Sequence, residues 1–216
     1  MAKKLTDDDI IRALLNVAFY HSTGQTSLGD ISNVLGIKKS SLYNHFENRE
    51  DLIQKTTESC EEYLVSVNFI PNDYANVAKK YPVETVFKGI ATRFFKMHEK
   101  SPFFQIYTFV ESQKYFDEDA AKIIIEQKEK LILQTQKMLE ALKNQNKIHI
   151  EKEKFYSVST WFVSGLKDLI SVQLLKRKKI VLKNPESGDG QLFTLKDDEE
   201  SIEKINSFVE DFCKLL

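Results

Sequence analysis

Apolar residues recur along this chain at intervals of three and four, the spacing that gathers side chains on one face of a helix. Ile10, Ile11, Leu14, Leu15, Ala18 and Phe19 form the first stripe. It opens with Thr6-x-x-Asp9, where a hydroxyl and a carboxylate three residues apart satisfy each other's free backbone N–H at a helix start. Gly24 is the expected stop. Ser27-x-x-Asp30 repeats the arrangement before Leu28, Ile31 and Leu35. That second, short helix must end at Gly36, because glycine accepts a left-handed backbone at no steric cost. Ile37 then returns to the core, and a third helix begins near Lys38 or Lys39 with Leu42 and Phe46 turned inward. Asn48-x-x-Asp51 caps a fourth, whose stripe is Leu52, Ile53, Thr56, Cys60, Tyr63, Leu64 and Val67.

Residues 68–82 carry two prolines and polar residues, and read as a break between an N-terminal head and a C-terminal body. Helical periodicity resumes over 83–99, 101–110, 117–144, 155–178 and 199–216, giving an all-α chain of about nine helices. Between the last two, the β-prone runs IVL and LFTL flank NPESGDGQ, so residues 180–195 read as a hairpin or a mobile loop.

The second and third helices with their glycine turn make a helix-turn-helix. Lys39, Ser40, Ser41, Tyr43, Asn44 and His45 stand outward among the buried Leu42 and Phe46, and are the side-chain types that meet phosphates and base edges. With 31 basic and 32 acidic residues in 216, net charge is −1, so any attraction to nucleic acid must be local. Seven glycines and four prolines are few for this length and favour long helices. Cys60 and Cys213 fit no metal spacing, and the histidines His21, His45, His98 and His149 form no ligand pair. No phosphate loop, dinucleotide fingerprint or nucleophile elbow is present; neither cofactor nor catalysis is expected. No apolar signal segment develops and no stretch reads as a membrane span, so the expected location is the cytoplasm.

Residues 10–52 resemble the TetR family of bacterial transcriptional repressors. The likeness rests on the apolar first helix, Thr26-Ser27 with Asp30-Ile31, Gly36-Ile37, Leu42-Tyr43, His45-Phe46 and Arg49-Glu50-Asp51-Leu52. It implies an all-α homodimer with a DNA-reading head, residues 1–52, and a ligand-binding and dimerisation body, residues 53–216. Thr26 and Ser27 then correspond to donors placed on a phosphate at a helix N-terminus. Tyr43 and His45 become phosphate donors, Lys38, Lys39 and Arg49 supply charge, and Ser40, Ser41 and Asn44 face the bases. Three positions depart from the family pattern: Lys38 where a serine cap is usual, Ser40 where a glycine is, and Ser32 where an alanine is.

In the body, Phe94, Phe103, Tyr107 and Trp161 belong to an aromatic concentration that either lines a pocket for a small hydrophobic or aromatic effector or fills a helical core. Residues 155–175 are apolar on nearly every side, and the last helix carries a second apolar stripe. Phe162, Leu166, Ile170, Ile205, Phe208 and Phe212 are therefore expected at a twofold contact between two copies. The sequence thus reads as a homodimeric repressor released from a palindromic operator in double-stranded DNA by such an effector. A constitutive or activating regulator without a pocket is the alternative, as is an all-α enzyme or adaptor that retains the head.

Overall fold

The computed structural model describes residues 4–183 and 199–216, which fold as ten α-helices and one 3-10 turn, with no strand among the described residues. In chain order these are α1 (Asp7–His21), α2 (Leu28–Leu35), α3 (Lys39–Leu42), α4 (Arg49–Ser66), α5 (Tyr74–Lys80), α6 (Val83–His98), α7 (Phe103–Gln113), α8 (Glu118–Lys143), α9 (Phe155–Lys183) and α10 (Glu199–Cys213). Two compact units divide the chain: Met1–Ser66 with Pro102–Ile125, and Val67–Ser101 with Glu126–Leu216.

In the first unit α1 packs against α2, α4 and α7. Both expected capping boxes form, Thr6 with Asp9 and Ser27 with Asp30. Ile10, Leu14, Ile31, Leu42 and Leu52 are almost fully buried and make the floor beneath the helix-turn-helix. Phe19 meets Phe104 of α7 edge to face at 5.0 Å, and Tyr63 meets Phe103 at 5.8 Å. The first helix does not run to Gly24. It ends at His21, and Ser22 takes φ 70° and ψ 158°, donating its N–H to the Ala18 carbonyl.

In the second unit α6, α9 and α10 enclose a cluster of phenylalanines. Phe162 lies 5.0 Å from Phe87, 4.6 Å from Phe212 and 5.8 Å from Phe208, while Phe69 meets Phe94 edge to face at 4.8 Å. Gly165 lets α10 come close to α9, since a Cβ there would fall 2.6 Å from the Phe208 ring. Arg177 of α9 holds Glu99, just past α6, at 2.8 Å.

Residues 68–82 are not simply a break: they contain α5. That helix buries little beyond Ala78, so it leaves almost no periodic signal. Its C-terminal end is closed by Lys147, whose ammonium donates to the carbonyls of Ala78, Lys79 and Tyr81 at 2.7–2.9 Å. Helix α9 extends to Lys183, taking in 180–183 of the stretch read as hairpin or loop; residues 184–195 of it lie outside the described residues.

Candidate nucleic-acid interface

Helix α2 is held at both ends. Ser27 accepts from the Asp30 N–H while Asp30 accepts from the Ser27 N–H at 2.9 Å and its hydroxyl at 2.6 Å, which keeps the Asp30 carboxyl below its usual value. At the other end Gly36 adopts φ 64°, ψ 31°, and the Ile37 N–H closes back on the Ser32 carbonyl at 3.0 Å. The left-handed turn aims the chain at α3. Lys38 occupies the N-cap of α3 with no side-chain cap bond, so its ammonium remains outside.

Helix α3 is shorter than the periodicity suggested, only Lys39–Leu42. Tyr43, Asn44 and His45 follow in a turn that still winds helically, since the N–H groups of Asn44 and His45 donate to Ser41 and Leu42. Lys38, Lys39, Ser40, Tyr43 and Asn44 are exposed on this segment, while Ser41 and His45 are half-buried. One short segment thus offers two ammoniums, a phenol, an amide and hydroxyls to solvent. Five of the donors that duplex DNA accepts, or the groups that read its edges, stand together.

Three further expected contacts make bonds within the chain. Thr26 is buried and its hydroxyl donates to the Ser22 carbonyl at 2.7 Å, fastening the α1–α2 turn. The Arg49 guanidinium reaches back to the same turn, donating from Nε to the Thr26 carbonyl at 2.8 Å and from its terminal nitrogen to Thr23. It ties the start of α4 to the start of α2. His45 places Nδ1 2.6 Å from the Asp7 carboxylate and so anchors the end of the α3 turn to the first turn of α1. None of these long-range partners is visible in local spacing.

The residues expected to line a pocket differ in their surroundings. Phe94 and Phe103 are 2% exposed and fall in different units, with Phe94 packed on Phe69 and His98 and Phe103 on Tyr63. Tyr107 is half-buried, and Trp161 is 62% exposed on α9. Of the residues expected at a twofold contact, Phe162, Leu166, Ile170, Ile205 and Phe212 are buried within the single chain, and Phe208 is half-buried. The large apolar side chains that α9 leaves exposed are Tyr156, Trp161, Val172, Leu175, Ile180 and Leu182, of which Trp161, Val172, Leu175 and Leu182 fall at the heptad-like intervals of a helix-pairing seam.

Among the described residues no group of acids, histidines and cysteines is placed to hold a metal ion, and no helix is long and apolar enough to cross a membrane. Burial pushes the Cys60 thiol up to about 12 and the Cys213 thiol to about 11, which leaves both protonated and poor nucleophiles at neutral pH.

No family model matches the chain. Over 40 residues, 18% of its length, it is 45% identical to the biofilm operon icaADBC negative transcriptional regulator IcaR of Staphylococcus epidermidis. Over 75 residues it is 25% identical to IcaR of Staphylococcus aureus strain Newman. These stretches span 22% and 38% of the two relatives. Solved structures match along nearly the whole length. A TetR-family transcriptional regulator from Mesorhizobium loti superposes with TM-score 0.62 at 15% identity, covering 97% of this chain and 95% of that one. A TetR regulator from Haloarcula marismortui gives 0.61 at 10% identity with 97% of both chains covered. One from Legionella pneumophila gives 0.60 at 14%, with 98% of both.

Proposed function

We propose that this chain, which has the all-α fold of TetR-family transcriptional regulators, is a cytoplasmic, homodimeric, DNA-binding repressor that a small hydrophobic or aromatic effector releases from a palindromic operator. The observation that carries the reading is the exposed set Lys38, Lys39, Ser40, Tyr43 and Asn44, standing on a short segment braced by Gly36, Arg49 and His45. Lys38, Lys39 and Tyr43 engage phosphates. Ser40 and Asn44 reach base edges, with Asn44 suited to a bidentate contact with adenine. Ser27 marks the start of α2, where the N–H groups of the first helical turn and the helix dipole favour a further phosphate.

Repression, rather than activation, is supported by the relatives' description as negative regulators. Two copies pairing through the open apolar face of α9 would set two recognition segments about one DNA turn apart and so read two half-sites. An effector that binds one conformation of the body in preference lowers DNA affinity by the coupling free energy between the two sites. Regulation, not catalysis, is the activity: the two thiols are held protonated and the exposed groups of the segment Lys38–Asn44 are suited to binding.

The test is equilibrium binding of the full chain to duplexes selected from a random pool, across a range of salt. The expected result is enrichment of a two-half-site sequence, with log affinity falling linearly against log salt. Binding with no sequence preference, or none, contradicts the reading. The close packing of the phenylalanine cluster favours one second reading, a constitutive regulator; it predicts that no small molecule changes operator affinity.

A further inference from the structure

The outer face of α6 is unlike the rest of the chain. Thr85, Lys88, Gly89, Thr92, Arg93, Lys96, Met97 and Lys100 recur at the three-and-four spacing of one helical face, and the acids next to them, Glu84 and Glu210, are both bonded to Lys88. With Asn206 of α10 they line a groove of about 770 Å³, a volume within the range of small-molecule sites. Beside it lies a niche of about 280 Å³ walled by Pro71, Val77, Tyr81, Val86 and Ile90. Groove and niche share Thr85, Gly89 and Arg93, so a cationic trough opens directly into an apolar recess.

The charges on this face are unequally compensated. Lys88 bonds Glu84 at 2.6 Å and Glu210 at 2.5 Å. Arg93 donates to the neutral carbonyls of Asn68 and Phe69, and among the described residues neither it nor Lys100 has an ion pair. A guanidinium fixed by carbonyls at the mouth of an apolar recess keeps an uncancelled positive charge where a ligand's head would sit.

We propose that groove and niche form one binding site for an amphipathic organic anion, its apolar tail in the niche and its acid head against Arg93 with Lys100 nearby. As the effector of the regulator proposed above, this ligand rests on that reading; occupancy of the site does not. The head is a carboxylate or a phosphate monoester, both of which match the planar fork of an arginine.

The test is calorimetric titration of the full chain with octanoate, octyl phosphate, 1-octanol and octylammonium. One of the two anions should bind at one per chain, the tighter identifying the head, and 1-octanol about tenfold or more weaker. Gly89→Leu is the decisive variant: no atom lies within 4 Å of an added Cβ, so the side chain has room to start into the shared floor, and leucine strengthens the helix. Its thermal midpoint should hold or rise while anion affinity falls about tenfold or more. Lys100→Ala should weaken the anions and leave 1-octanol unchanged. The proposal is overturned if 1-octanol binds as tightly as the anions, if neither anion binds, or if Gly89→Leu binds like the parent chain. Anion binding that leaves DNA affinity unchanged supports the site and removes only the effector role, whereas anion binding by a chain that binds no DNA supports the site and removes the regulator reading.

Discussion

A lysine on a phosphate and an asparagine on a base edge leave different traces, and the exposed segment from Lys38 to Asn44 allows both to be measured. Lys39→Ala should weaken binding to every duplex and lower the salt slope by about one, because one condensed counterion fewer is released. Asn44→Ala should leave that slope intact and cost about 1–3 kcal/mol only against the selected site. Binding isotherms at several salt concentrations separate the two. The side chains that point outward were legible in the sequence because three-and-four spacing decides inward from outward. The roles of Thr26, Arg49 and His45 were not, because their partners at Ser22, Thr23 and Asp7 are set by the packing of α1, α2 and α4. His98 gives a second prediction. It is buried on α6 with Nδ1 2.8 Å from the Phe94 carbonyl, and burial, with the Lys167 charge, pulls it from 6.5 down to about 4. Between those values the unfolded chain binds a proton that the folded chain refuses, so its contribution is full above pH 6.5 and is lost as pH falls toward 4. The loss approaches about 1.4 kcal/mol per pH unit and about 3 kcal/mol in all. Urea unfolding at pH 7 and pH 5 should show it, and His98→Gln should flatten that part of the slope.

Two helix ends in the first unit carry opposite consequences for substitution. Gly36 uses the left-handed conformation that only glycine adopts freely, so Gly36→Ala should destabilise by about 1 kcal/mol. Ser22 occupies φ 70°, ψ 158°, where a Cβ is strained, and Ser22→Gly should stabilise by about 1 kcal/mol after glycine's unfolded-state entropy is subtracted. Denaturant midpoints with unchanged slopes check both. Helix starts were readable at this scale: Thr6, Ser27 and Asn48 announce α1, α2 and α4 through local hydrogen bonds, with the Asp51 N–H bonding Asn48 at 2.8 Å. Helix α5 was not, because what ends it is an ammonium 66 to 69 residues away in sequence. Likewise the stop at Ser22 rather than Gly24 comes from a backbone bond and the buried Thr26 hydroxyl, which residue type alone does not specify.

For the whole molecule, the sequence showed that α9 has more apolar surface than a lone helix would tolerate, but not which side the chain's own core would cover. Phe162, Leu166 and Ile170 turn inward to the phenylalanine cluster; Trp161, Val172 and Leu175 remain outside. The proposed pairing therefore predicts that Leu175→Asp yields monomers with weakened operator binding, since a charge would be buried without a partner at a cost of several kcal/mol. Sedimentation checks the mass, and the lone Trp161 should shift its emission to longer wavelength on dilution of the parent chain. If Leu175→Asp remains a tight dimer, the contact lies on another face.

The central claim is sequence-specific DNA reading by the segment that follows Gly36, and the most direct measurement is a selected-site binding profile of the parent chain beside that of Asn44→Ala. The parent should enrich two inverted half-sites centred about one helical turn apart, and Asn44→Ala should lose base preference at matching positions in both halves while retaining its salt dependence. An unstructured parent profile, or an Asn44→Ala profile identical to it, would contradict the account.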